Sequence, residues 1–173
     1  MRKNHEIILE EQINGGCMDY LELFGFKAGK GNYHEEIIYR LVILYTLVFD
    51  KIANFLARHR LTPAKMNVLM IVKHQGGHNG ISQVDLSQRL MVTTSNMTRV
   101  LAKLHRDGLI TRENTKDDKR FKMIRITPKG SKLLDNIWHS YIKKLIELTQ
   151  GLEEEKKKEL SGLLSQWMES LKK

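Results

Sequence analysis

A single cysteine, two prolines and no apolar run of membrane-spanning length limit what this 173-residue chain is able to be. Cys17 alone excludes an internal disulfide framework and fits a reducing compartment. A helix that crosses a bilayer needs about 20 consecutive apolar residues, and the chain has no such stretch, so no membrane partner is expected. The start, Met1-Arg2-Lys3-Asn4-His5-Glu6, leads into a mixed, acidic segment instead of a signal-peptide core, and a cytoplasmic location is expected. Histidines are scattered. His74 and His78 stand four apart, but Gly76-Gly77 between them breaks the helix that would align them, so neither a metal nor a cofactor is expected. There is no Gly-rich phosphate loop, no nucleophile elbow and no cysteine–histidine pairing at a recognisable spacing, and hence no enzyme is expected.

Charge is the first thing present in excess, and it is localised. Residues 61–130 hold thirteen Lys/Arg against five Asp/Glu, while the first sixty residues balance at eight against eight and the last forty-three carry eight against seven. Nearly all of the net +9 therefore falls in one segment, the footprint of a surface that meets a polyanion.

Within that segment, Thr93 to Ile110 carries the most information. At 100° per residue, Met97, Val100, Leu101 and Leu104 form an apolar stripe. Opposite lie Ser95, Arg99, Ala102 and Arg106, flanked by Asn96, Thr98 and Lys103, with no carboxylate among them. Arg, Asn, Ser and Thr suit base edges and phosphates in a DNA major groove, although a solvated basic face gives the same pattern. Thr93 is placed to cap this helix, and Gly108 to take the left-handed turn after it.

The neighbouring segments decide between these readings. Residues 1–33 lack a clean period. A helical pattern runs from His34 to about His59 and is apolar almost all round, which calls for cover on more than one side. Leu61-Thr62-Pro63 starts a helix that ends at Gly76-Gly77, and Ser82-Gln83-Val84-Asp85 is an acidic capping box opening another to about Leu90. A tight turn then leads into the basic helix, which is the shape of a helix-turn-helix. Beyond Gly108 the period becomes 2. Ile110–Glu113 and Lys122–Thr127 read as paired strands, with Ile124 and Ile126 inward and a charged tip between them, so that a wing follows the basic helix. Pro128 starts a further long helix, Gly151 breaks it, and a last helix carries Leu160, Leu163, Leu164, Trp167, Met168 and Leu171.

In this order the elements resemble the MarR family of winged helix-turn-helix transcriptional regulators, from about Ile37 to Leu171. The resemblance is carried by Leu61-Thr62-Pro63, by Ser95 to Arg99 with Leu104 and Gly108-Leu109-Ile110, and by Asp118-Lys119-Arg120 with Ile124, Ile126-Thr127 and Gly130. It implies a mainly α fold with a small β-hairpin wing: an N-terminal extension (1–33), N- and C-terminal dimerisation helices (34–60 and 128–173) and a DNA-binding lobe (61–127), intertwined as one domain. It also implies a homodimer on a palindromic operator of double-stranded DNA, a repressor released by a small aromatic effector. Carried over by position, the recognition-helix residues are Thr94, Ser95, Asn96, Thr98, Arg99, Lys103 and Arg106. The wing residues are Lys116, Asp118, Lys119, Arg120 and Lys122, with Arg120 in the minor groove and Asp118 orienting it. Tyr45, Phe49, Met70 and Trp138 either line an effector cleft or belong to the core. Many family members have Gly in the turn where this chain has Met91; a non-Gly residue held left-handed costs about 1 kcal/mol, so a slightly altered turn is expected there. The alternative function is a winged-helix module that binds protein without reading DNA; the localised positive charge argues against it.

Overall fold

The computed structural model describes residues 33–77, 79–114 and 122–172. These form helices α1 (Tyr33–Ala57), α2 (Pro63–Gln75), α3 (Gln83–Arg89), α4 (Thr94–Arg106), α5 (Pro128–Thr149) and α6 (Glu154–Ser170), and strands β1 (Ile81–Ser82), β2 (Ile110–Asn114) and β3 (Lys122–Ile126). Four of the helix starts are set by hydroxyl caps. The side chains of Thr62, Ser82, Thr93 and Thr127 accept from the backbone N–H of Lys65, Asp85, Asn96 and Gly130, at 3.3, 3.1, 3.4 and 3.0 Å. Each such cap is worth about 1 kcal/mol against alanine. Pro63 and Pro128 take the first helical position, where the missing N–H costs nothing.

The chain divides into two units, residues 1–51 and 52–173. The first is described from Tyr33 onward and holds α1 as far as Lys51, the last turns of that helix belonging to the second. In the first, Ile37, Ile38, Leu41, Val42, Leu44, Tyr45 and Phe49 are exposed, and Tyr45 and Phe49 stack with ring centres 5.5 Å apart. In the second unit, α2, α3, α4 and the sheet enclose a core of Met66, Leu69, Leu86, Met97, Leu101, Leu104, Ile110 and Ile124, joined by the equally buried Leu56, Leu134 and Ile137. The α4 stripe is borne out, since Met97, Leu101 and Leu104 are fully buried and Val100 packs against them. The apolar residues of α6 (Leu160, Leu163, Leu164, Met168) remain exposed on the single chain, as do Trp138, Ile142 and Ile146 of α5.

Several boundaries differ from the sequence reading, each for a local reason. Helix α1 stops at Ala57 because Arg60 turns left-handed (φ 57°) and Leu61 N–H reaches back to Leu56 O at 3.0 Å. The sheet has a third strand. β1 pairs antiparallel with β3 (Ile81↔Ile124, Ser82↔Met123), giving the order β1-β3-β2, and two residues are too short to show a period. The Asp85 carboxylate accepts the Ser82 hydroxyl at 2.8 Å, not the Ser82 backbone N–H of a full capping box; aspartate is one methylene shorter than the glutamate that usually closes it.

The turn between α3 and α4 keeps a left-handed residue without glycine, where a slightly altered turn was expected. Met91 is left-handed (φ 51°) with a side chain 82% exposed. It therefore carries the steric cost of a Cβ without burial to offset it. Met91→Gly is expected to raise stability by about 1 kcal/mol, read as a higher urea midpoint at unchanged m-value. A lower midpoint would show that the methionine side chain contributes contacts in the turn.

Thr127 and Gly130 join the end of α4 to the start of α5. Thr127 N–H donates to Leu109 O (3.1 Å), and its hydroxyl donates to Gly108 O (2.8 Å) while accepting from Gly130 N. A Cβ on Gly130 would lie 2.2 Å from Leu109 O and 3.0 Å from the Ile126 side chain. Thr127 and Gly130 are thus the cap and the close contact of one joint.

Candidate nucleic-acid interface

With its apolar stripe buried, α4 turns Thr94, Ser95, Asn96, Thr98, Arg99, Ala102, Lys103 and Arg106 to solvent. The six polar recognition-helix candidates from Ser95 to Arg106 therefore share one exposed side. Among the described residues, Arg99 and Lys103 have no carboxylate partner, and Arg106 lies only loosely near Asp107 (Nε to Oδ1 3.9 Å). The face is open to an anionic partner.

Asp107, the one acid at the end of α4, is already neutralised. Lys65 of α2 donates to its carboxylate at 2.6 Å, and Lys129 of α5 donates to its backbone carbonyl at 2.8 Å. The Lys65 hydrogen bond, helped by the charges of Lys65, Arg106 and Lys129, holds the Asp107 carboxyl below the usual carboxylate range, against a smaller opposing effect of burial. The same arrangement recurs where Lys73 of α2 bonds Asp135 of α5 and lowers its pKa. Because Asp107 is more acidic folded than unfolded, its contribution is fully present above the unfolded pKa. It is lost as pH falls through the lower folded value. Asp107→Asn is therefore expected to flatten the loss of melting temperature below about pH 4; a variant whose acid slope matches wild type would remove this role.

Sequence reasoning missed a polar chain beside α4. Gln83, at the start of α3, donates from Nε2 to Thr98 Oγ1 at 2.7 Å and accepts at Oε1 from Arg112 of β2 at 3.3 Å. Thr98 in turn donates to Thr94 O at 2.9 Å. Gln83 drew notice only as a residue near a helix start, and Arg112 as a residue of a strand. The tertiary fold brings them together across 29 residues. Nearby, Arg89 donates to Gln75 Oε1 at 2.6 Å, and Arg125 pairs with Glu113 across the two strands of the hairpin.

Of the wing candidates, Lys122 opens β3 opposite Asn114. Lys116, Asp118, Lys119 and Arg120 lie outside the described residues, as do Cys17 and His78. Of the four cleft-or-core candidates, Tyr45, Phe49 and Trp138 are exposed on the single chain, and Met70 is partly buried against the core. Among the described residues no cluster of three or more His, Cys, Asp or Glu is placed to hold a metal, and no helix is long and apolar enough to cross a membrane.

A helix-turn-helix with a three-stranded wing sheet behind an exposed, carboxylate-free cationic helix defines a winged-helix DNA-binding protein. The MarR family model matches residues 61–122. The HTH-type transcriptional regulator YkoM of Bacillus subtilis (strain 168) is 27% identical over 140 residues, spanning 77% of this chain and 89% of that relative. The chain is similar in fold to MepR of S. aureus, whose structure was determined as a DNA complex: TM-score 0.69, 24% identity, 76% of this chain and 96% of that one. It is similar also to a mutant MarR from E. coli complexed with operator DNA (TM-score 0.70, 21% identity, 80% and 98% covered). These findings support a DNA-binding transcriptional regulator whose residues 61–122 match the MarR family model.

Proposed function

We propose that this regulator is a homodimeric repressor that binds a palindromic operator in the cytoplasm, with one α4 helix in the major groove of each half-site. The observation that carries the reading is the exposed face of α4, polar and cationic without a carboxylate, directly opposite a fully buried stripe. Ser95, Asn96, Thr98 and Arg99 then meet base edges, with Thr94 beside them at the helix start; Lys103 and Arg106 meet phosphates. Wing residues Lys116, Lys119, Arg120 and Lys122 flank them. Arg120, oriented by Asp118, enters the minor groove, where negative potential is concentrated. The dimer reading is supported by apolar faces that the single chain leaves open, on α1 in the first unit and on α5 and α6 in the second. The exposed Tyr45–Phe49 ring pair (5.5 Å between centres) supplies stacking surface for a small aromatic effector.

A mobility-shift titration over a range of salt, paired with sedimentation equilibrium, tests this reading. The expected result is a dimer whose affinity for its own promoter DNA falls steeply with salt, because each neutralised phosphate releases counterion. A monomer that binds no genomic fragment, or binds one without salt dependence, would overturn it.

A further inference from the structure

The polar chain beside α4 has only one possible direction of donation. Arg112 stands two residues after Ile110 on β2, so both side chains belong to the inward face of the sheet; Ile110 and the cross-strand partner of Arg112, Ile124, are fully buried. The Arg112 stem accordingly runs into the lobe, and its Nε is buried with no hydrogen-bond partner among the described residues. A guanidinium has donors only. Its contact with Gln83 therefore requires the amide oxygen of Gln83 to face Arg112, and the amide NH2 to face the other way, at Thr98. Thr98 must accept there. Its single proton goes to Thr94 O, a carbonyl that only accepts. Donation runs from Arg112 through Gln83 and Thr98 to the backbone of α4, and the arginine fixes every step.

This leaves Thr98, exposed on the recognition face, without a proton for DNA. It has nothing to donate to guanine O6 or N7, adenine N7 or thymine O4. What it retains is one lone pair, able only to accept from adenine N6 or cytosine N4, and its γ-methyl group, which matches the 5-methyl of thymine. We propose that Gln83, held in polarity by Arg112, is a positioning residue that makes Thr98 a reader of a thymine methyl group in each half-site. The inference deepens the DNA-binding reading of α4 and rests on it.

The test begins with selection of the preferred duplex for the wild-type protein from a randomised library, followed by replacement of each thymine in it by uracil, which removes only the methyl group. Wild type is expected to lose about fourfold in affinity at one thymine per half-site, the worth of one buried methyl group. Thr98→Val keeps the methyl and loses the hydroxyl, and should show the same loss at the same thymine. Thr98→Ser keeps the hydroxyl and loses the methyl, and should be insensitive there. Gln83→Met, and Gln83→Glu as a second variant that turns the donor side of residue 83 into an acceptor, should both weaken the preference for that thymine in a fresh selection, with thermal melts confirming the fold. Sensitivity to uracil that survives in Thr98→Ser but vanishes in Thr98→Val would overturn the inference, as would Gln83 variants with an unchanged base preference. A wild-type protein that enriches no sequence would instead overturn the DNA-binding reading itself.

Discussion

Gly130→Ala is expected to destabilise the protein by about 3 kcal/mol, as much as truncating a buried core side chain. The added Cβ would stand 2.2 Å from the carbonyl oxygen of Leu109, and that oxygen is backbone. It also accepts the N–H of Thr127, so moving it breaks a bond at the same joint. Relief by a side-chain rotation is not open, as it would be against the flexible end of a lysine. Alanine normally improves a helix by about 1 kcal/mol over glycine, and here the steric term outweighs that gain. Urea titration checks the size, and a midpoint equal to or above wild type would mean that α5 shifts away from β2 without cost. Operator binding at low temperature should survive, because Gly130 is not on the recognition face.

Arg99→Ala is expected to lower affinity for the preferred operator by about 10- to 100-fold while leaving the melting temperature unchanged. Arg99 is exposed and, among the described residues, makes no ion pair, so the fold has little to lose from its removal. A guanidinium on the recognition face is the group best able to meet guanine O6 and N7 together, and the discrimination lost should concentrate at one base pair per half-site. Lys103→Ala provides the contrast. A phosphate contact should weaken all duplexes alike and reduce the salt slope by about one. Equal, sequence-independent losses in both variants would reassign Arg99 to the backbone.

The lobe was legible where local rules decide. Thr62, Ser82 and Thr93 announce helix starts because a short side-chain oxygen reaches the third residue on. Met97, Leu101 and Leu104 announce a buried face because their spacing matches the helix turn. Met91 was legible only as a departure from the glycine that the family resemblance implied, and its left-handed backbone keeps the geometry that a glycine would take. Strand β1 was not, since its two residues are strand only because β3 lies alongside. The Arg112–Gln83–Thr98 chain was hidden for a similar reason. Each member has an ordinary local explanation, and their meeting depends on the tertiary fold bringing α3, α4 and β2 together. The Lys65–Asp107 pair, 42 residues apart, lay equally beyond any local signal.

Thr127 also has a mechanical consequence. It bonds the last turn beyond α4 through both its N–H and its hydroxyl, and it caps α5 with the same oxygen. Helix α5 has 22 residues and is therefore about 33 Å long. With its near end pinned at Thr127, it is a lever whose fulcrum lies at the tail of the recognition helix. A tilt of about 5° that displaces the far end by about 3 Å barely translates the pinned end, and reaches α4 as a small rotation. A lateral push on the outer reach of α5 is thus geared down to an adjustment on the scale of one hydrogen bond at the groove.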